Sequence, residues 1–220
     1  MIPTTRSTLR RLSERGSHEW TDVTDILDAG FLAFVGFVVA QQPFVIPTLY
    51  GRDGETLYLH GSAASRMMRE LSAGVPACVT VALVDGIVLA RSAFHHSMNY
   101  RSVAAFGTAT TIQDADDKSS ALKVISNHVL AGRWDDVRLP TVQELKATTV
   151  LKFVVEEASA KVRTGPPDDD EADYTLPVWA GVLPLALQSR AAMPDARLRA
   201  DVAEPAYLAD YDRRFRRPGE

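Results

Sequence analysis

The feature that most restricts how this chain can fold is a series of short β-forming runs packed closely between Phe31 and Glu156. Phe31–Ala40 and Phe44–Tyr50 are apolar and are joined by the polar Gln41-Gln42. Gly51-Arg52-Asp53-Gly54 reads as a turn into Thr56–His60, where Leu57 and Leu59 alternate with Tyr58 and His60. That alternation puts apolar groups on one face and ring groups on the other. Ala77–Val84 and Ile87–Arg91 flank Asp85-Gly86, which predicts a hairpin. Tyr100–Ile112 and Val150–Glu156 complete the set, and Ala104, Ala105, Gly107 and Ala109 allow tight curvature or close backbone approach.

Helical patterns are few. Thr21 opens a short helix carrying Asp22, Asp25 and Asp28 and closed by Gly30; Ala63–Ala73 turns Met67, Met68 and Leu71 inward and closes at Gly74. Asp114–Leu130 is amphipathic, with Leu122, Ile125 and Val129 on its buried stripe, and Thr141–Ala147 is a helical turn. About six closely spaced strands with few helices predict a mainly β, α+β domain: a small antiparallel barrel with peripheral helices. Residues 1–19 read as an Arg-rich arm, 20–185 as the barrel domain, and 186–220 as a helical tail with Tyr207, Leu208 and Tyr211 available for docking. Periodicity alone does not separate this barrel from an OB fold or another Greek-key barrel.

A chain of 220 residues, 46% hydrophobic and 24% charged, matches a soluble globular protein. A net charge of −4 gives no footprint for nucleic acid or an anionic membrane, and no run reaches the roughly 20 apolar residues of a spanning helix. A cytoplasmic protein is expected. Cys78 is the single cysteine and lies in the apolar ACVTVALV, so it reads as a buried, inert thiol. Nucleotide-binding Walker and GxGxxG loops, HExxH and GxSxG are all missing from the sequence.

Two segments concentrate groups suited to an anion. His60-Gly61-Ser62-Ala63-Ala64-Ser65-Arg66 ends a strand and starts a helix, with close backbone approach at Gly61, hydroxyl donors on Ser62 and Ser65, and a cation on Arg66. The same residues also fit an ordinary helix capped by Ser62 with a solvated Arg66. The bend from Leu89 to Gly107 gathers His95, His96, Ser97, Asn99, Tyr100 and Arg101 between two apolar runs, a cluster that suits an anionic small molecule. His95 and His96 are adjacent and point to opposite faces, and no further ligand lies nearby, so a metal is not expected. Pro47-Thr48 reads as an edge strand or as backbone beside a ligand. His60 is either a hydrogen-bonded strand residue or a group facing substrate.

LYLHGSAASR (Leu57–Arg66), HHSMNYRSV (His95–Val103) and VWAGVLPL (Val178–Leu185) together resemble the flavin-nucleotide-binding branch of the pyridoxamine 5'-phosphate oxidase-like split barrels, related to nitroimidazole-reductase-like proteins. The resemblance runs from about Arg10 to Leu185. It implies an FMN-binding split barrel that pairs as a homodimer with the flavin between subunits. It places the FMN phosphate at Ser62–Arg66 and the backbone around Pro47 and Thr48 against the polar rim of the flavin. His60 then lies by the active site. Ser97, Asn99, Tyr100 and Arg101 form a flavin-contacting bend with Arg101 as a second phosphate cation. Trp179, and a basic residue among Lys161 and Arg163, approach the partner's flavin. The implied activity is electron transfer from a reduced nicotinamide to a small oxidised substrate. The alternatives are a flavin carrier or sensor without turnover, or a split barrel that binds haem or a deazaflavin. The late Arg-rich motif of true pyridoxamine phosphate oxidases is replaced here by WAGVLPL, which puts that specific activity in doubt.

Overall fold

Strand residues that alternate between core and surface account for the architecture of the computed structural model, which describes residues 4–216. The outermost parts of the expected arm and tail lie outside the described residues. The elements are β1 (Gly16–Ser17), α1 (Trp20–Ala29), β2 (Leu32–Val39), β3 (Gln42–Asp53), β4 (Thr56–Ser62), α2 (Arg66–Ser72), β5 (Ala77–Leu89), β6 (Ser97–Thr111), α3 (Ala115–Val129), α4 (Val142–Ala147), β7 (Thr148–Arg163) and β8 (Gly181–Pro184). The sheet order is β7-β4-β3-β2-β5-β6, and β6 pairs back onto β7 to close a ring of antiparallel strands. β1 lies along β7 and β8 along β5. The expected antiparallel barrel with peripheral helices is the fold observed. Its interior holds Val35, Leu57, Leu59, Val79, Leu151 and Phe153, all fully buried.

The ring is incomplete on one side. β3 pairs with β4 only from Tyr50 to Asp53, whereas its first half, Gln42–Leu49, pairs with β2 alone. β4 past Leu59 pairs with β7, so the sheet splits between the start of β3 and the end of β4. α3 packs against the joined part of β3, where a Cβ on Gly51 would lie 2.6 Å from the Ile125 Cα; glycine alone admits the helix at this depth. Elsewhere the outward positions of β2 and β3 are Leu32, Phe34, Gly36 and Val38, facing Leu49, Pro47, Val45 and Pro43. None is charged, and Val45 is 66% exposed.

Several sequence expectations change. Asp85-Gly86 makes no hairpin: β5 runs straight through it with a bulge between Val84 and Gly86. Both flanks hold the strand: Arg101 of β6 takes the Asp85 carboxylate, and β8 pairs with Gly86–Leu89 and donates Leu185 N–H to the Asp85 carbonyl. The reversal comes later, through Ala90–His96. The turn placed at Gly51–Gly54 narrows to Gly54-Glu55, since β3 continues to Asp53. α2 starts at Arg66 rather than Ala63, with Ser65 at its N-cap. Gly30 ends α1 in extended backbone, φ −79°, and is glycine because a Cβ would meet Val81 at 2.5 Å. Among the described residues the tail has no α-helix, only 3-10 turns at Ala206–Leu208 and Tyr211–Phe215.

That tail is nonetheless anchored. Phe215 is buried against Phe31 and Tyr211. The Arg214 guanidinium donates to carbonyls at the end of α1 (Asp28, Ala29, Gly30) and at the end of α3 (His128, Val129). Helix C-termini expose carbonyls that need donors, and one arginine serves two helices here. His128 lies beneath it, with Nε2 2.9 Å from the Gly30 carbonyl and the ring against Tyr50. Burial first, and then the nearby Arg214 charge, pull the His128 pKa down to about 4. An unfolded histidine takes its proton near pH 6.5, so the folded chain is disfavoured as pH falls from there towards about 4. Folding stability should therefore drop over that window by on the order of 2 kcal/mol from this group. His128→Gln, which keeps a donor for Gly30, should flatten that part of the stability–pH curve measured by urea denaturation.

Candidate functional site

The split brings the first group of candidate residues together. Continued past Tyr50–Leu59, the antiparallel register sets Pro47 and Thr48 across the gap from Gly61 and Ser62. The edge of β3 facing the gap has no strand partner among the described residues, so its backbone polar groups are available to a ligand. Ser62 closes the turn, accepting Ala64 N–H at its hydroxyl (3.2 Å) and Ser65 N–H at its carbonyl (2.9 Å). The Ser62 hydroxyl keeps its own proton to donate, and the Ser65 side chain caps nothing in α2. Arg66 reaches back over the gap, its guanidinium 4.7 Å from the centroid of the Phe44 ring. It has no carboxylate partner among the described residues.

His60 immediately precedes this turn, opposite Val150 of β7 and on the same face of β4 as Tyr58. Its Nδ1 is buried without a hydrogen-bond partner. Burial lowers its pKa below the ordinary histidine value, so the ring is neutral at pH 7. It therefore offers a neutral donor–acceptor, not the imidazolium that a value near neutrality would supply.

The second group sits elsewhere. Ser97 begins β6 and is exposed, while Tyr100 pairs with Val84 on one side and with Arg163 on the other. Asn99 is buried; its amide donates to the Gly165 carbonyl (3.2 Å) and its oxygen accepts from Arg163. Arg101 is committed within the fold: it forks onto Asp85 (3.1 and 2.8 Å) and donates to the Phe215 carbonyl (2.8 Å). A phosphate would have to displace a buried ion pair to reach it. Trp179 is 68% exposed and lies over Gly181. Lys161 donates to the Arg11 carbonyl, and Arg163 to the carbonyls of Gly165 and Pro166. His95 lies 3.4 Å from Asp170, and the His96 Nδ1 accepts the Ala90 N–H. No cluster of three or more metal-ligating side chains occurs among the described residues.

The two groups do not meet within one chain. His60 pairs at Val150 and Tyr100 at Arg163, opposite ends of β7, which correspond to about 40 Å of extended strand. Clefts open at the other barrel mouth: one of about 680 Å³ lies between α1, Arg101, Val162 and Arg214, and another of about 590 Å³ beside Asp85 and Phe215. Neither is lined by Pro47, Thr48 or residues 60–66. What sequence reading missed is the Asp85–Arg101–Phe215 chain, whose members are far apart in sequence.

A closed antiparallel ring with one split edge, a cation-bearing turn across it and an uncharged outer face defines the split-barrel class. The family model described as pyridoxamine 5'-phosphate oxidase matches residues 19–162, and the chain belongs to that family. The flavocytochrome Anf3 from Azotobacter vinelandii is 40% identical, with a TM-score of 0.88 over 93% of this chain and 95% of that one. The FAD and heme binding protein from Mycobacterium smegmatis is 35% identical, with a TM-score of 0.84 over 88% of this chain and 95% of that one. A candidate 5-nitroimidazole antibiotic resistance protein from Bacteroides thetaiotaomicron, 24% identical with a TM-score of 0.57, covers 67% of this chain and 86% of its own and shares the fold. No curated protein matches the chain. No helix is long and apolar enough to cross a membrane among the described residues.

Arg101 gives a test of the split between structural and ligand-holding arginines. Arg101→Lys keeps the charge but loses the fork to Asp85 and Phe215, and should cost about 1–3 kcal/mol of stability. Urea denaturation of the two proteins measures the difference, and an unchanged midpoint would show that the fork contributes nothing to the fold.

Proposed function

We propose that the chain is a flavin-binding redox protein that works as a homodimer, with the flavin phosphate held at Ser62–Arg66 and the flavin rim along the open edge of β3. One observation carries this reading: Arg66 stands at the split with no carboxylate partner among the described residues, whereas Arg91, Arg101 and Arg163 are engaged within the fold. A phosphate supplies the missing anion, and the Ser62 and Ser65 hydroxyls supply donors beside it. Support also comes from the two relatives at 40% and 35% identity, named as a flavocytochrome and as a FAD and heme binding protein. FMN satisfies the turn, and FAD carries the same flavin phosphate with an adenylate added.

The dimer is part of the same proposal, and the distance between the two groups supports it. A flavin at the split can reach the Ser97–Tyr100 bend only if a second copy brings its own bend alongside. The uncharged outer face of β2 and β3 is the surface such a pair would bury. The flavin, once bound, supplies the electron transfer, from a reduced nicotinamide to a small oxidised acceptor. The chain's part is to hold the phosphate, to offer backbone groups from β3, and to present His60 as a neutral hydrogen-bonding group. A second reading, haem alongside flavin, is favoured by the same residue: a neutral imidazole with an unpartnered buried nitrogen is a group that could hold a haem iron.

The visible spectrum of the purified protein separates flavin from haem directly. Arg66→Ala should remove a charge-assisted bond of about 1.5–3 kcal/mol and weaken FMN and FAD binding roughly ten- to a hundredfold. Unchanged affinity for both would overturn the phosphate assignment. His60→Ala should slow flavin reduction by NADH or NADPH in stopped flow, while His60→Gln, which keeps donor and acceptor, should restore most of the rate. Because burial lowers its pKa, any effect of His60 titration on wild-type reduction should fall on the acid side of that of an ordinary histidine.

A further inference from the structure

We propose that the turn Tyr211–Phe215 is a proton-sensitive strap: it closes the barrel mouth opposite the split, and protonation of His128 beneath it lets it go. The ring is paired from Leu32 to Arg163, and the last strand, β8, ends at Pro184. Beyond that point the described tail holds only 3-10 turns, so it can leave without breaking a strand ladder. Its grip on the barrel is concentrated in two residues. Phe215 is buried against Phe31, and its carbonyl accepts from Arg101 (2.8 Å). Arg214 caps the ends of α1 and α3 at once, through five backbone carbonyls. The clefts of about 680 and 590 Å³ at this mouth are both lined by Arg101 and Arg216, with Phe215 on the wall of the second. Release of the strap joins them into one opening beside Asp85.

One acceptor joins the strap to its trigger. The Gly30 carbonyl takes both Arg214 (2.8 Å) and His128 Nε2 (2.9 Å). A carbonyl oxygen only accepts, so Nε2 carries the hydrogen of the neutral ring and an added proton goes to Nδ1. Protonation leaves that bond in place but sets a second cation beside a guanidinium that shares its acceptor. The other groups facing the ring do not neutralise it. Asp28 of α1 is already forked by Arg52 of β3 (2.6 Å), and Arg52 is itself a cation. Tyr50 of β3, in ring contact with His128, is kept neutral by burial. From the tail, Asp210 and Arg213, of opposite charge, line the adjoining cleft with Tyr207 and Tyr211. Of all these, only the tail groups lie outside the ring and its packed helices, so Arg214 is the cation that can move away. Burial, and then the Arg214 charge, keep His128 uncharged at neutral pH. With the strap off, the ring meets water and one cation fewer, and takes a proton more readily. A proton that binds the open form better than the closed one drives opening.

Hydrogen exchange of the full-length protein, read by mass spectrometry and corrected for the intrinsic effect of pH, follows strap and ring separately. Between about pH 7.5 and about pH 5, amides of Tyr211–Phe215 should exchange roughly ten- to thirtyfold faster. Amides of β6 and β7 should keep their protection. His128→Gln, which keeps a donor for Gly30 but gains no charge, should hold the strap at both pH values, and Arg214→Ala should free it at both. Coupling is reciprocal, so Arg214→Ala should also raise the pH at which the His128 ring titrates by NMR, a readout that needs no histidine variant. Strap exchange that ignores pH, or that follows it unchanged in His128→Gln, would overturn the proposal. So would equal loss of protection in β6 and β7, which is unfolding of the whole barrel. A His128 titration that does not move in Arg214→Ala would overturn it as well.

Discussion

The pairing of β6 with β7, from Tyr100 opposite Arg163 to Thr111 opposite Leu151, converts an open sheet into a ring, and the other elements are placed by it. A ring has a fixed circumference, so α1 and α3 must close its ends and flank while the split opens on the side where β3 and β4 diverge. The bulge between Phe106 and Gly107 lets the long strands bend around the core. With β7 also pairing β4, the same strand fixes how far His60 and the following turn stand from the Tyr100 end.

The split is where this economy of pairing is relaxed. Unpaired strand edges usually invite association with other strands, and proteins blunt them with proline or cover them. Here Pro43 and Pro47 lie on the open half of β3, and Arg66 stacks on Phe44 at its mouth. The arrangement discourages sheet extension yet leaves backbone groups for a flat polar ligand. The opposite end follows another rule: Arg101, Asp85 and the Phe215 carbonyl satisfy one another, so a cluster that looks cationic in sequence is neutralised in the fold.

How much of this was legible depends on the reach of each interaction. The barrel class, the buried Met67, Met68 and Leu71, and the helix starting after Asp114 rest on local pattern, and the sequence carried them. Asp85-Gly86 misled because its hairpin signal is local, while the partners that keep β5 straight come from β6 and β8. The real reversal between β2 and β3 uses Ala40 and Gln41, both at positive φ (47° and 65°), residues that do not advertise such a turn. At the site, the turn residues were visible as a motif. The commitment of Arg101 was not, since one of its partners is Phe215; the split came from the family resemblance and not from local pattern, because it is a property of register.

The late arrival of β7 also shapes how the chain can be made. β6 ends at Thr111, and its closing partner is complete only at Arg163, about fifty residues and several seconds later at a translation rate of about 5–20 residues per second. During that interval the nascent sheet has two bare edges and an apolar outer face. The carbonyls at the ends of α1 and α3 wait longer still, for Arg214. Strand order alone thus leaves the ring open, with its edges and outer face uncovered, until the seventh strand has been made.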